Sequence, residues 1–270
     1  MISKTLRRAP GYLFLAIFAL FSLFPLYFMV VSATNTSSEV LGAKMLPGGA
    51  FLENWNNLVA TTDLPAAVYH STVNATVTTV LALIICSLAG YGFEIYHSRG
   101  KDILMSIILL AMMIPFAATM IPLFQLFAGW GMINSTMAVV LPAVATPFLI
   151  LLFRQSSRTF PHETIEAARI DGLGEISIFT RIYVPMMKPT FAAATVITFM
   201  NAWNAFMWPR VILVSNKYQT LPLLTSNLTA GYVTDYGMLM LAVLISSLPT
   251  MIIFLVLQKS FANGVMGAVK

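Results

Sequence analysis

The stretch ILMSIILLAMMIPFAATMIPLFQLFAGWGMINSTMAVVLPAVATPFLILLF, residues 103–153, holds no Lys, Arg, Asp or Glu in 51 positions. A helix crosses the hydrocarbon core of a bilayer with about 20 apolar residues, so this run is long enough for two crossings. A turn between them is legible at Gly129-Trp130-Gly131 and Asn134-Ser135, where glycine relaxes the backbone and tryptophan suits a membrane interface. Membrane β-strands alternate apolar and polar positions over about 10 residues. This run is continuous and rich in Leu, Ile and Met, which disfavours a barrel.

Four more stretches lack charge: 9–38, 64–93, 189–209 and 236–258, of 30, 30, 21 and 23 residues. Each fits one crossing. The expected fold is all-α and polytopic, with six transmembrane helices near 12–32, 70–96, 103–126, 136–153, 190–210 and 237–258. Composition agrees. The chain is 58% hydrophobic and 9% charged, whereas a soluble domain carries about 25% charged residues. A soluble fold and a disordered chain are both excluded. The net charge of +5 does not point to nucleic acid, because no soluble scaffold presents the basic residues. One domain over 1–270 is expected.

Basic residues of short loops set orientation. With the N-terminus inside, the inner side carries Lys4, Arg7, Arg8, Arg99, Lys101, Arg154, Arg158, Arg169, Arg181, Lys188, Lys259 and Lys270. The outer side keeps Lys44, Arg210 and Lys217. Both termini are therefore expected in the cytoplasm. The N-terminal segment imitates a signal peptide ending at Val31-Ser32-Ala33, but its apolar run exceeds the usual 7–15 residues of a signal. An uncleaved first helix is expected.

Several chemistries have no residues to carry them. His70, His97 and His162 show no metal-ligand spacing, and Cys86 is the sole cysteine. Cys86 reads as a small apolar side chain of the second helix. There is no GxSxG elbow and no phosphate-binding glycine loop. No catalytic residue, metal or cofactor is expected. Ion-coupled carriers place ionisable groups inside the bilayer. The nearest case here is Glu94, at the inner end of the second helix, which reads as an interfacial carboxylate. The pattern is a transport pathway whose energy comes from a partner.

One segment is rich in charge. Residues 154–188 hold nine charged side chains. Pro161 suits a first helical turn, and Glu163 and Glu166 favour its positive end. The spacing predicts a helix from Pro161 to Asp171, stopped by Gly172 in the left-handed conformation. A second helix follows, with Ile176, Phe179, Ile182 and Tyr183 on one face and Pro185 as its end. Two surface helices lying on the membrane and a lever docking into another protein both fit this pattern.

Glu166-Ala167-Ala168, three residues, Gly172, nine residues, Ile182, one residue and Val184-Pro185 resemble the EAA loop of importer-type bacterial ABC permeases, EAA-x3-G-x9-I-x-L-P, with valine replacing leucine. Ala89-Gly90-Tyr91-Gly92-Phe93 with Arg99-Gly100-Lys101 resembles a further segment of carbohydrate permeases. So do Met113-Ile114-Pro115, Ile121-Pro122-Leu123-Phe124, Trp203-Asn204-Ala205-Phe206-Met207-Trp208-Pro209, Thr220-Leu221-Pro222-Leu223 and the tail Gly264–Lys270. The likeness covers about 90–270 and is strongest to maltose/lactose/arabinoside-type permeases.

The resemblance implies a permease subunit of an ATP-driven, binding-protein-dependent sugar importer in the bacterial cytoplasmic (inner) membrane. It implies a second permease, two ATP-binding subunits that hold the ATP and magnesium, and an extracytoplasmic sugar-binding protein. Glu166, Ala167, Ala168, Asp171, Gly172, Ile182 and Pro185 would form the coupling loop, with Glu166, Ala167 and Ala168 entering a cleft on the ATPase. For the substrate pathway, Asn201, Trp203, Asn204 and Trp208 combine aromatic faces with amides. Asn201, Asn204 and Trp208 share one face of a continuous helix. Against that reading, Trp208 can be an interfacial anchor and the asparagines interhelical bridges. Pro115, Pro122, Pro142 and Pro147 are expected to bend the third and fourth helices. An ion-coupled secondary transporter is the alternative.

Overall fold

The structure, a computed structural model, describes residues 2–231 and 233–268, with side chains described for 11–231 and 233–258. The side chains of Lys4, Arg7, Arg8 and Lys259, and the whole of Val269 and Lys270, lie outside the described residues. Helix makes up 78% of the chain, which rules out a barrel.

The helices in order are α1 (Ile2–Ser32), α2 (Ser37–Leu41), α3 (Phe51–Thr61), α4 (Leu64–Ile95), α5 (Arg99–Ala111), α6 (Phe116–Gly129), α7 (Thr136–Val140), α8 (Pro147–Ser157), α9 (His162–Ile170), α10 (Glu175–Ile178), α11 (Val184–Met186), α12 (Lys188–Trp203), α13 (Met207–Ile212), α14 (Leu221–Leu228) and α15 (Tyr236–Ala268). Three segments are single apolar spans: Gly11–Ser32, Leu64–Ile95 and Tyr236–Gln258. Three further spans are bent pairs. Arg99–Ala111 and Phe116–Gly129 meet at 97°, Thr136–Ala143 and Pro147–Ser157 at 47°, and Glu175–Met186 and Lys188–Ile212 at 82°. Counting each pair as one span gives six.

The bends follow from the sequence. Pro115 is the N-cap of α6 and disfavours helix at the residue before it, so α5 stops at Ala111. Pro147 opens α8, where its missing N–H costs nothing. Pro142 lies in the 3-10 turn Leu141–Ala143. Pro122, in contrast, sits inside α6 without interrupting it. The turn before α7 has Gly131 at φ 68° and Asn134 at φ 61°, and Ser135 caps α7 by accepting from the Ala138 N–H at 3.1 Å.

The chain forms two compact units. One runs to Leu64 and includes Leu224–Leu248; the other comprises Pro65–Leu223 and the chain from Pro249. In the first, α1 from Gly11 onward exposes apolar side chains all round: the successive Tyr12, Leu13, Phe14 and Leu15 are each more than half exposed. Such a helix belongs in lipid. The segment joining α1 to α4 holds α2 and α3, which the charge pattern did not reveal. Asn54 of α3 donates to the carbonyls of Ala33 and Asn35, both at 3.0 Å. Thr36 and Glu39 form a reciprocal capping box on α2. Asp235 caps α15, accepting from the Met238 N–H at 3.1 Å and the Ser37 hydroxyl at 2.7 Å.

In the second unit, α4 buries Ser71, Ala75, Thr78, Thr79, Ala82 and Cys86 at helical spacing. This stripe of small residues permits close packing. Cys86 donates to the Val144 carbonyl at 3.4 Å. The core around it gathers Ala82, Cys86, Met105, Leu149, Phe153 and Ala194 from α4, α5, α8 and α12.

Candidate coupling surface and transport pathway

Helix α9 begins after its N-cap Pro161 and ends on Asp171. Gly172 follows with φ +80°. The Gly172 N–H bonds the Arg169 carbonyl and the Leu173 N–H bonds the Ala168 carbonyl, each at 3.0 Å. Those two bonds are a Schellman turn, and the apolar contact that accompanies it joins Leu173 to the cluster containing Ala168. The glycine serves the turn's backbone and not a crowded neighbour, since no atom lies within 4 Å of where its Cβ would stand.

The three EAA residues divide. Glu166 and Ala167 are exposed. Ala168 is 5% exposed and packs with Ile165, Tyr91, Ile178 and Tyr183. The expectation that all three enter a foreign cleft is corrected for Ala168, which faces its own chain. Asp171, Gly172 and Pro185 are exposed, and Ile182 is half-buried. Two isoleucines flank the turn in the open: Ile170 is 87% exposed and Ile176 82%.

The second arm also departs from simple periodicity. Between α10 and α11, Phe179–Tyr183 form a π-turn. Pro185 has no N–H to give to the Arg181 carbonyl, so the ladder is interrupted there, shortly before the 82° bend into α12. The helical run continues through Met186. The inward side chains are consequently Ile178 and Tyr183, with Phe179 and Ile182 beside them, while Ile176 points out. Tyr183 is fully buried, and its hydroxyl meets that of Ser157 at 2.6 Å.

Arg169 pairs with Glu175 at 2.8 Å and lies 5.6 Å from the Tyr96 ring centroid. The Glu175 carboxylate pushes the Arg169 guanidinium's pKa up. Arg154 is buried near the end of α8 between two acids. It bonds Glu94 of α4 at 3.3 Å and also the carboxylate of Asp102 on α5. Arg158 reaches the same Glu94 oxygen at 3.4 Å, and His97 meets Asp102 at 3.0 Å. Glu94 is thus part of an ion cluster. Sequence spacing missed this cluster, although a signal existed. Glu94, Asp102 and Arg154 are each the first charge beyond an apolar run, and each is expected at the same side of the membrane. Lys101 closes the α4–α5 corner by donating to the carbonyls of Gly92 at 2.9 Å and Tyr96 at 2.6 Å.

The pathway residues separate as well. Helix α12 stops at Trp203, and Trp208 belongs to α13. Asn201, Asn204 and Trp208 therefore do not share one continuous face. Asn204 turns its amide back to the Met200 carbonyl at 2.9 Å, at the end of α12. Trp203 is buried and stacks on Phe199 at 5.6 Å. Trp208 is buried, donating Nε1–H to the Ala138 carbonyl at 2.8 Å and packing on Phe127. Asn201 lines a cavity of about 310 Å³ with Thr78, Thr146, Thr198 and Phe148. Among the described residues no Lys, Arg, Asp or Glu lines it. A second, polar cavity of about 370 Å³ lies within the first unit, among Ser37, Glu53, Asn54 and Asp235. Among the described residues no cluster of His, Cys, Asp and Glu suits a metal.

The sequence of residues 83–267 matches the family described as binding-protein-dependent transport system inner membrane component. The chain is 41% identical over its whole length to the lactose transport system permease protein LacG of Rhizobium radiobacter, all of which it covers. It is 35% identical to the arabinooligosaccharides transport system permease protein AraQ of Bacillus subtilis, covering 96% of this chain and 94% of that one. The sn-glycerol-3-phosphate transport system permease protein UgpE of Escherichia coli K12 is 31% identical, with 92% of each chain covered. A chain of a bacterial ABC transporter for import of the polysaccharide alginate has the same fold, with TM-score 0.81 and 21% identity over 96% of this chain and 98% of that one. Six apolar spans, a charged loop turning on Gly172 and these likenesses agree: the chain is a multi-pass, non-catalytic permease of the binding-protein-dependent transport system inner membrane component family.

Proposed function

We infer that this permease imports a neutral sugar or oligosaccharide as half of a translocation pathway, with a different permease chain as the other half. Two ATP-binding subunits drive it, and an extracytoplasmic sugar-binding protein delivers the substrate. ATP and its magnesium bind the partner subunits. Both termini face the cytoplasm of a bacterial cell, and 154–188 is the cytoplasmic coupling loop of one permease domain.

The observation that carries this reading is the pair Ile170 and Ile176, standing in the open on either side of a backbone-locked turn. Exposed large apolar side chains beside Glu166 and Ala167 fit a protein partner. The relatives named for lactose and arabinooligosaccharides support the substrate class. The cavity at Asn201 supports a neutral solute over a phosphate ester, because threonine hydroxyls and an amide line it and no cation does. The family match gives the ion-coupled alternative no support.

The test is uptake by cells lacking this chain and carrying it on a plasmid. ATP-driven accumulation of lactose or an arabinooligosaccharide is expected, without accumulation of sn-glycerol 3-phosphate. Uptake driven by a proton or sodium gradient, with no need for an ATPase, would overturn the reading. Gly172→Pro cannot take φ +80° and loses the bond to the Arg169 carbonyl. Gly172→Pro and Glu166→Lys are each expected to insert normally but to abolish uptake, and normal uptake by either counts against the lever.

A further inference from the structure

The coupling loop is continuous in sequence with α8 and, through α10 and α11, with α12. Its noncovalent contacts reach another helix. The inner end of α4 is held from both arms of the loop. From the upstream arm, Arg154 and Arg158 both bond Glu94, and the Arg154 guanidinium lies 6.0 Å from the Phe93 ring centroid. From the downstream arm, Tyr91 packs edge-on against Phe179 at 5.3 Å and Tyr183 at 4.8 Å, and its hydroxyl donates to Glu175 at 3.5 Å. Arg154 extends the hold to α5 through Asp102.

These contacts differ in kind from the apolar packing elsewhere in this unit. Apolar ridges can slide past each other and find equivalent contacts. A guanidinium buried between Glu94, itself mostly buried, and the more exposed Asp102 resists sliding, because a shift of α4 leaves the Arg154–Glu94 pair broken where little water reaches it. Gly90 removes the remaining slack. A Cβ there would stand 2.5 Å from Phe153 Cβ and 2.8 Å from the Arg154 nitrogen, so α4 touches the backbone of α8 next to the cluster.

We propose that Arg154 and Glu94 form a fixed joint that carries displacement of the coupling loop to α4 and α5, which the loop does not adjoin in sequence. Both are positioning residues, and neither need touch substrate or ATP. The proposal rests on the coupling-loop reading above.

The test uses the complete importer, with both permeases, ATPase and binding protein, in proteoliposomes. Glu94→Gln weakens the tie of Arg154 to α4 and leaves its pair with Asp102 on α5, so the fold keeps one of the two ties. The ratio of sugar transported to ATP hydrolysed is expected to fall by about fivefold or more, a typical size for coupling between sites, while hydrolysis persists. Arg154→Lys is expected to recover part of what Arg154→Met loses. An independent measurement uses spin labels at Glu163→Cys on α9 and Arg99→Cys on α5, in a Cys86→Ala background. Their separation should stay constant between the nucleotide-free and ATP-bound states, and should shift and broaden in Arg154→Met. An unchanged transport-to-hydrolysis ratio in Glu94→Gln, or a label separation that changes with ATP in the unsubstituted joint, overturns the proposal. If Glu94→Gln fails to assemble, the label separation decides. A wild-type importer that transports nothing with ATP overturns the functional reading itself, a result distinct from either of these.

Discussion

Gly90 and Gly172 are required for opposite reasons. Gly90 is helical and has no room for a methyl group beside Phe153 and Arg154. Gly90→Ala forces backbone against backbone and is expected to cost about 1–3 kcal/mol, the usual range for overpacking. A lowered thermal midpoint of the purified protein in detergent would register it. Gly172 has ample room but a left-handed backbone. Gly172→Ala is expected to cost about 1 kcal/mol and Gly172→Asn less, read in the same way. The role of Gly172 was legible from Pro161, the acidic first turn and the glycine stop. The inward turn of Ala168 was not. Three residues beside one another in a motif look equivalent, yet helical geometry sends Ala168 to the same side as Ile165. The shared face of Asn201, Asn204 and Trp208 failed for a related reason. Three- and four-residue spacing defines a face only while the helix continues, and no proline or glycine between Asn201 and Trp208 announces the break after Trp203.

At the scale of elements, α2 gives a pH dependence. The Glu39 carboxyl is held at about 2, below its ordinary 4.5, first by the hydrogen bond from Lys44 and then by the Thr36 N–H. A carboxyl whose folded pKa is depressed stabilises the fold above its unfolded value, and that contribution is lost as pH falls through the folded value. The part of the amide protection of Ser37–Leu41 that Glu39 supplies is therefore expected to be full above pH 4.5, to weaken below it and to be lost near pH 2. Hydrogen exchange across that range checks it, and Glu39→Gln should remove the dependence. The number of spans was legible because scarce charges mark where each run ends. The bends of 97° and 47° were foreshadowed by Pro115 and Pro147. The π-turn was hidden, because Pro185 announces the end of the arm, which comes at Met186, and not the displaced ladder over Phe179–Tyr183 before it. The Arg154 cluster was hidden by distance, since its partners stand 60 and 52 residues away in sequence.

For the whole molecule, orientation is the first quantity to measure. A membrane-impermeant maleimide is expected to label Glu53→Cys from outside intact cells and Glu163→Cys only after the membrane is opened. The native Cys86 is fully buried, so it should stay silent in both conditions and leave the background clean. Labelling of Glu163→Cys from outside would invert the topology and remove the loop from any cytoplasmic ATPase. The ion cluster has a further consequence for the lipid. Glu94, Asp102 and Arg154 tie the adjoining ends of α4, α5 and α8 to one another. A lone helix meets a thicker membrane by changing its own tilt. These three cannot adjust singly, so a change in acyl-chain length is expected to lean them as a set, and lipid thickness becomes a mechanical load on the joint proposed for the coupling loop.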